Sequence, residues 1–337
     1  MHSPNWKALV LVGVMLMACL QCGRDGDSSE PSASPTAGGD DHTISGDSGD
    51  ASAGDVAQRP AGDAGPVDEG GKPPADSRST GCGTPGKTGS FHLTTTDGKG
   101  ATRDYAVQVP STYDAKTPLA VTFVYHGAGG NEQAAESFGL QDAAKTSSAS
   151  IFVFPQGVEF ENYGVGWDDS CGGYDMVFFD HMLEELEQQY CIDTARVFAA
   201  GFSWGCDYVT GLRCCRGSRL RAIAAASCAD EFSNAADFKT YANMPCPDVG
   251  VAGIRFTHDA KGDGAYSQEQ FTTTSALYRS FNACSATSTA TSPSPCVSYQ
   301  GCASPFVECA YPGLGHTLPE NWASDTWDFF ASFASVH

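Results

Sequence analysis

Along the middle of this chain, the spacing of apolar residues switches repeatedly between two periods. Tyr105, Val107 and Val109 alternate with other residues up to Pro110, as in a strand with one covered face. Leu119 to Tyr125 and Ile151 to Phe154 are continuous apolar runs instead, which suit strands covered on both faces. From Met176 to Tyr190 the spacing becomes helical. Met176, Phe179, Leu183, Leu186 and Tyr190 share one stripe, with Glu184, Glu185 and Glu187 among the outward positions. Arg196 to Ala200, Ala222 to Ala226 and Gly253 to Thr257 read as further strands, and an aromatic-rich helix spans about Asn321 to Ser335. Strands alternating with helices imply an α/β fold with a mostly parallel sheet.

Composition confines this core to part of the 337 residues. Residues 1–22 carry Lys7, an apolar run from Ala8 to Ala18 and then Cys19, the layout of an export signal whose run is too short to span a bilayer. Leu16-Met17-Ala18-Cys19 resembles a bacterial lipobox. It predicts a lipid anchor at Cys19 as the protein's membrane contact and a secreted, cell-surface location. Residues 23–81 contain no Phe, Tyr or Trp and hold 12 acidic against 4 basic residues. Such a stretch buries too little apolar surface to offset the entropy of ordering, so a disordered acidic tether is expected.

Residues 82–337 hold all 19 phenylalanines, all 12 tyrosines and 12 of the 14 cysteines, enough for one sizeable core. An even number of cysteines behind an export signal predicts disulfides, with the neighbours Cys214 and Cys215 taking different partners. The one C-x-x-C pair is Cys19 and Cys22, outside this region, so no metal site is expected. A net charge of −21 argues against nucleic acid, whose phosphates it would repel.

Candidate chemistry centres on Gly201-Phe202-Ser203-Trp204-Gly205, a G-x-S-x-G pattern. The pattern alone is weak in a glycine-rich chain, but its setting is specific. It follows the apolar strand at Arg196 to Ala200 and precedes a segment, Cys206 to Cys215, that continues as a helix. This is the strand-turn-helix context in which a serine nucleophile is exposed on a strained bend, with glycine two residues away on either side to avoid collision.

A serine hydroxyl needs a base, and the chain order serine, acid, histidine that accompanies such a bend sorts the eight histidines. His2, His42, His92, His126 and His181 precede Ser203; His258, His316 and the terminal His337 follow it. His316 stands out in the loop Gly313-Leu314-Gly315-His316-Thr317, just before the last helix. The acid should come from His258-Asp259-Ala260-Lys261-Gly262-Asp263-Gly264. Asp263 is chosen for its glycine neighbours, and Asp259 is the alternative acid or a turn residue. For the oxyanion hole, Trp204 supplies one backbone N–H, and Ala128 or Gly127 in Tyr125-His126-Gly127-Ala128-Gly129-Gly130 supplies the other. Trp167, Tyr163 and Trp204 are candidates for an aromatic acyl pocket, Trp167 and Tyr163 being the substrate-binding choices.

Together these segments resemble the secreted esterases that include feruloyl esterases and polyhydroxybutyrate depolymerase-like proteins, in carbohydrate esterase family 1 of the α/β-hydrolase superfamily. The likeness also runs through Cys82-Gly83, Arg103-Asp104-Tyr105, Pro155-Gln156-Gly157, Gly166-Trp167, Cys191-Ile192-Asp193, Tyr299 with Gly301-Cys302, and Gly315-His316-Thr317. It implies an α/β-hydrolase fold and ester hydrolysis without a cofactor, on plant cell-wall acyl esters or polyester chains. Ser203 and His316 fall on the nucleophile and base. The chain departs from the pattern at Asp259, where glycine is usual, at Asp263, one position later than usual after His258, and at Cys206, where another glycine is common. The same residues also suit acyl transfer to a sugar or alcohol, or a surface binding protein that keeps the fold. The oligomeric state is not legible.

Overall fold

A computed structural model of the protein describes residues 77–143, 150–229, 248, 250 and 252–333. The export signal with Cys19, the tether up to residue 76, and His337 lie outside the described residues.

Ten strands form one sheet in the order β1-β2-β4-β3-β7-β8-β9-β12-β11-β10. Its centre is parallel: β4 (Ser150–Pro155), β3 (Leu119–Tyr125), β7 (Ile192–Phe202), β8 (Ala222–Ala226), β9 (Gly253–Asp259) and β12 (Phe306–Tyr311). The residues of β3, β4, β8 and β9 are buried throughout; the first three are predominantly apolar, whereas β9 also buries Arg255, Thr257, His258 and Asp259. Antiparallel strands close both edges. β1 (Gly89–Thr96) and β2 (Thr102–Val109) lie on one side, and β11 (Cys296–Tyr299) and β10 (Ser288–Ala290) on the other. A separate hairpin pairs β5 (Val158–Phe160) with β6 (Gly164–Gly166).

Helices cover both faces. On one face lie α3 (Tyr174–Gln189), α4 (Trp204–Cys215) and α5 (Gln268–Phe281), through Met176, Phe179, Leu183, Tyr208, Leu212, Phe271 and Tyr278. On the other lie α1 (Glu132–Glu136), α2 (Leu140–Ala143) and α6 (Trp322–Ala331). That face is floored by small residues, Ala200, Ala222, Ala224 and Ala226, which leave room for Trp322, Trp327, Phe330 and Phe333. A Cβ on Gly253 would run into the Phe333 ring. Phe330 stacks on Phe198 with ring centroids 4.6 Å apart and planes 9° from parallel.

Two sequence expectations are corrected here. Residues 77–81, assigned by composition to the tether, dock on the fold: the Ser79 and Gly81 N–H groups donate to Ile192 O and Glu187 O, and Arg78 bridges to Asp193. Their small polar side chains suit backbone pairing as readily as disorder, so composition misled. Second, Glu185 and Glu187 are only half exposed, and Glu185 accepts from Thr95 Oγ and the Tyr105 hydroxyl. β1, β5, β6, β12, α1, α2, α5 and the antiparallel pair β10–β11 have no counterpart in the sequence reading.

Five disulfides join described cysteines: Cys82–Cys191, Cys171–Cys215, Cys206–Cys228, Cys284–Cys302 and Cys296–Cys309. Cys214 is also disulfide-bonded, and Cys171 belongs to Cys215, so the two neighbours do take different partners. The close trio Cys171, Cys214 and Cys215 therefore has no free thiol to offer a metal.

Replacing Phe330 with alanine removes a fully buried ring and leaves a cavity over β7. The expected cost is about 3 to 5 kcal/mol of stability, read as a lower denaturant midpoint at unchanged slope.

Candidate active site

Four parallel strands finish at the same end of the sheet, and each delivers one part of the site from the loop that follows it. β3 leads into His126 and Gly127, β7 into Ser203, β9 into Asp263, and β12 into the loop carrying His316. Ligands of open α/β sheets gather at this carboxyl end.

Ser203 links β7 to α4 and has φ 54° and ψ −126°, a region that side-chain-bearing residues rarely occupy. Its N–H donates to Ala226 O of the neighbouring strand, and its carbonyl accepts from the N–H groups of Cys206 and Asp207. The turn closes so tightly that a Cβ on Gly201 would overlap the Gly205 carbonyl, and one on Gly205 would overlap the Tyr125 carbonyl. Cys206, the departure just after the bend, bonds to Cys228 beyond β8 and so ties the start of α4 to the sheet.

His316 lies between Asp263 and Ser203. His316 Nδ1–H donates to Asp263 Oδ2 at 2.7 Å, and the Ser203 hydroxyl donates to His316 Nε2 at 3.0 Å. The Asp263 side chain is fully buried, whereas that of His316 keeps 29% exposure. Asp263 Oδ1 accepts from the N–H groups of Ala265 and Tyr266 at 2.9 and 2.8 Å. Burial alone would raise the pKa of this carboxyl, but the bonds from His316, Tyr266 and Ala265 outweigh it and hold the pKa below the ordinary value.

Asp259 does not contact the imidazole. Its Oδ2 accepts from Gly315 N–H at 2.9 Å and its Oδ1 from Lys261 N–H at 2.8 Å. Burial pushes its pKa up, and the amides of Gly315, Lys261 and Leu314 more than reverse this. His258 is not placed as a base either, because its Nδ1 faces Asp259 O at 2.8 Å and its Nε2 faces Glu308 at 3.0 Å.

For the oxyanion position, Trp204 is the first residue of α4, so its N–H has no acceptor within the helix. Gly127 lies against Ser203: a Cβ there would come within 3.1 Å of Ser203 Cβ. The loop from 126 to 129 is held from several sides. His126 Nδ1–H donates to Gly127 O at 2.8 Å, and His126 Nε2 accepts from Gly157 N–H at 3.1 Å. Burial lowers the pKa of His126, which suits this neutral tautomer. Gly129 N–H donates to Val165 O of the β5–β6 hairpin.

Trp167 is corrected. It is 1% exposed, and its Nε1–H donates to His126 O at 2.9 Å while its ring packs against Tyr125 and Tyr208. It braces the loop of residues 126 to 129 and is itself buried. Tyr163 is half-buried at the β5–β6 turn, where its N–H donates to Phe160 O. Trp204 is half-buried with its ring over Gly166 and 5.1 Å from the Phe160 ring.

Several neighbours of the triad escaped sequence reasoning. The Phe202 ring lies 4.9 Å from the imidazole and the Tyr266 ring 5.9 Å from it. The Tyr266 hydroxyl also donates to Asp207 of α4 at 3.2 Å, joining the Asp263 loop to the helix that follows Ser203. The spacing of Tyr266, three residues beyond Asp263, was a usable signal; Phe160 left none.

No family model matches the chain. Feruloyl esterase C of Emericella nidulans is 28% identical over 246 residues, covering 68% of this chain and 83% of the relative. Feruloyl esterase D of Neurospora crassa is 31% identical over 165 residues, covering 45% and 54%. The chain spans about half the length of most of the curated relatives it matches. Among solved structures, acetyl xylan esterase from Aspergillus awamori superposes with a TM-score of 0.56 at 14% identity, over 72% of this chain and 100% of that one. The chain thus carries the α/β-hydrolase fold and is similar in sequence to the fungal feruloyl esterases.

Proposed function

We propose that the protein is a serine carboxylic-ester hydrolase of feruloyl esterase type, acting on acyl esters of plant cell-wall polysaccharide. One observation carries the chemistry: the Ser203 hydroxyl, on its strained bend, lies 3.0 Å from an imidazole whose other nitrogen is held at 2.7 Å by a buried carboxylate. The named activities of the relatives favour the substrate class.

Ser203 Oγ attacks the ester carbonyl as its proton passes to His316 Nε2. The N–H groups of Trp204 and of Gly127 or Ala128 face the oxygen on which charge develops, and the Asp263 carboxylate steadies the imidazolium. The proton then moves to the departing alcohol, leaving an acyl-serine. Water attacks that ester, gives its proton to His316, and the acid leaves as Ser203 recovers its hydrogen. No step calls for a cofactor. Tyr163 and Trp204, with Phe160, are the aromatic residues placed to border an acyl group, a reading supported by their grouping on and against the β5–β6 hairpin. Export is supported by the disulfides, and a lipid anchor at Cys19 would hold the enzyme on the cell surface.

Ser203→Ala should fold normally and lose hydrolysis of methyl ferulate, and Asp263→Asn should lower kcat by about 10⁴-fold. Steady-state kinetics with methyl ferulate, acetylated xylan and polyhydroxybutyrate check both the chemistry and the substrate. Ser203→Ala retaining the parent rate would defeat the triad, and preferential release of hydroxybutyrate would shift the reading to a polyester hydrolase.

Asp259 and Asp263 both have folded pKa values below their unfolded value of about 3.9, so each stabilises the fold fully above that pH and less as pH falls through the folded value. The thermal midpoint should therefore drop steeply below about pH 4, and Asp259→Asn should flatten that decline. Melting curves taken from neutral to acid pH measure both effects.

A further inference from the structure

The loop that bears His316 has a weak hold on its own position. Gly313 and Gly315 have φ of 71° and 72°, so two of the three residues before the imidazole sit in backbone that glycine adopts freely in many forms. The loop runs from the end of β12 at Tyr311 to α6 at Trp322, and His316 itself is exposed. Yet the imidazole must meet a hydroxyl at 3.0 Å and a carboxylate at 2.7 Å at once.

Asp259 supplies what the loop lacks. It ends β9 beside Tyr311, is 2% exposed, and is held from its own side by the Lys261 amide at 2.8 Å. Its other oxygen accepts from Gly315 N–H at 2.9 Å, and the Leu314 amide turns to the same carboxylate. Successive backbone amides that converge on one anion form a compact anion-binding nest, here filled from within the protein. The residue after this nest is His316.

We propose that Asp259 is a positioning residue for the reaction: its carboxylate clamps the Leu314–Gly315 amides and so fixes how far His316 reaches toward Ser203 and Asp263. The inference rests on the triad reading. Asp259 touches neither the substrate position nor the imidazole, so its effect passes through the backbone of the base loop.

The test compares Asp259→Ala, which removes the acceptor, with Asp259→Asn, which keeps one amide oxygen for Gly315. Both are assayed on p-nitrophenyl acetate per active site, counted by fluorophosphonate labelling of Ser203. The alanine variant should lose up to about 100-fold in kcat with little change in KM, because a misplacement of about 1 Å is enough to cause such a loss. Asparagine should recover a large part of it. The low-field proton resonance of the bond between His316 and Asp263 should weaken or broaden in the alanine variant and return with asparagine. If the alanine variant does not fold, Asp259→Ser, whose hydroxyl is too short to reach the Gly315 amide, carries the test: kcat below both the parent and the asparagine variant at equal KM supports the clamp, and parental kcat overturns it.

Equal kcat per active site for the parent and the alanine variant, even with a lower melting temperature, would leave Asp259 a merely structural residue and overturn the proposal. Absence of fluorophosphonate labelling, or full activity in Ser203→Ala, would instead mark failure of the underlying triad.

Discussion

The backbone of Ser203 is held where an isolated chain would not leave it, and the surrounding structure is what keeps it there. β7 lies between β3 and β8 in a fully parallel neighbourhood, the Ser203 N–H is bonded into the end of β8, and Cys206–Cys228 locks the first turn of α4 to the same place. Strain of order 1 to 3 kcal/mol persists at one residue only when its neighbours over-determine it. The bare backbone at Gly201 and Gly205 permits the turn, while the ladder and the disulfide enforce it.

From that fixed point the other groups are placed by a closed set of links. The Tyr266 hydroxyl joins the acid loop to α4 at Asp207, Asp259 joins the acid loop to the base loop at Gly315, and the triad hydrogen bonds close the figure. Opposite them, Trp167 and Gly157 hold the loop of residues 126 to 129 through His126, backed by Arg103, which is bonded to Asp175 and to Gln156 O. Ser203, Asp263 and His316 stand on loops, and what supports them is mostly buried.

How much of this was legible depended on whether a residue's surroundings are local. Continuous apolar runs marked β3 and β8 to the residue, because a strand covered on both faces has no polar positions to blur it. Ser203, His316 and Asp263 could be read from chain order and glycine neighbours. β1 and β10 were missed because edge strands alternate weakly or are fully exposed, as Ser288–Ala290 is. Trp167 was misjudged because an aromatic beside a site reads alike whether it lines the pocket or supports its floor. The clamp at Asp259 was invisible because its partners, Leu314 and Gly315, lie more than 50 positions away and act through main-chain amides, which carry no side-chain signature.

The docking of residues 77–82 fixes an orientation. Ser79 bonds at Ile192, where β7 begins, and Ser203 follows Phe202, where it ends, with 11 residues of extended chain between them. The register sets Ile192 beside Leu119 and Gly201 beside Tyr125 of β3, so at about 3.3 Å per residue the docked segment lies roughly 25 Å from Ser203, at the other end of the strand. The contacts of residues 77–81 with Glu187, Tyr190, Ile192 and Thr194 thus leave the strand end that carries Ser203 untouched.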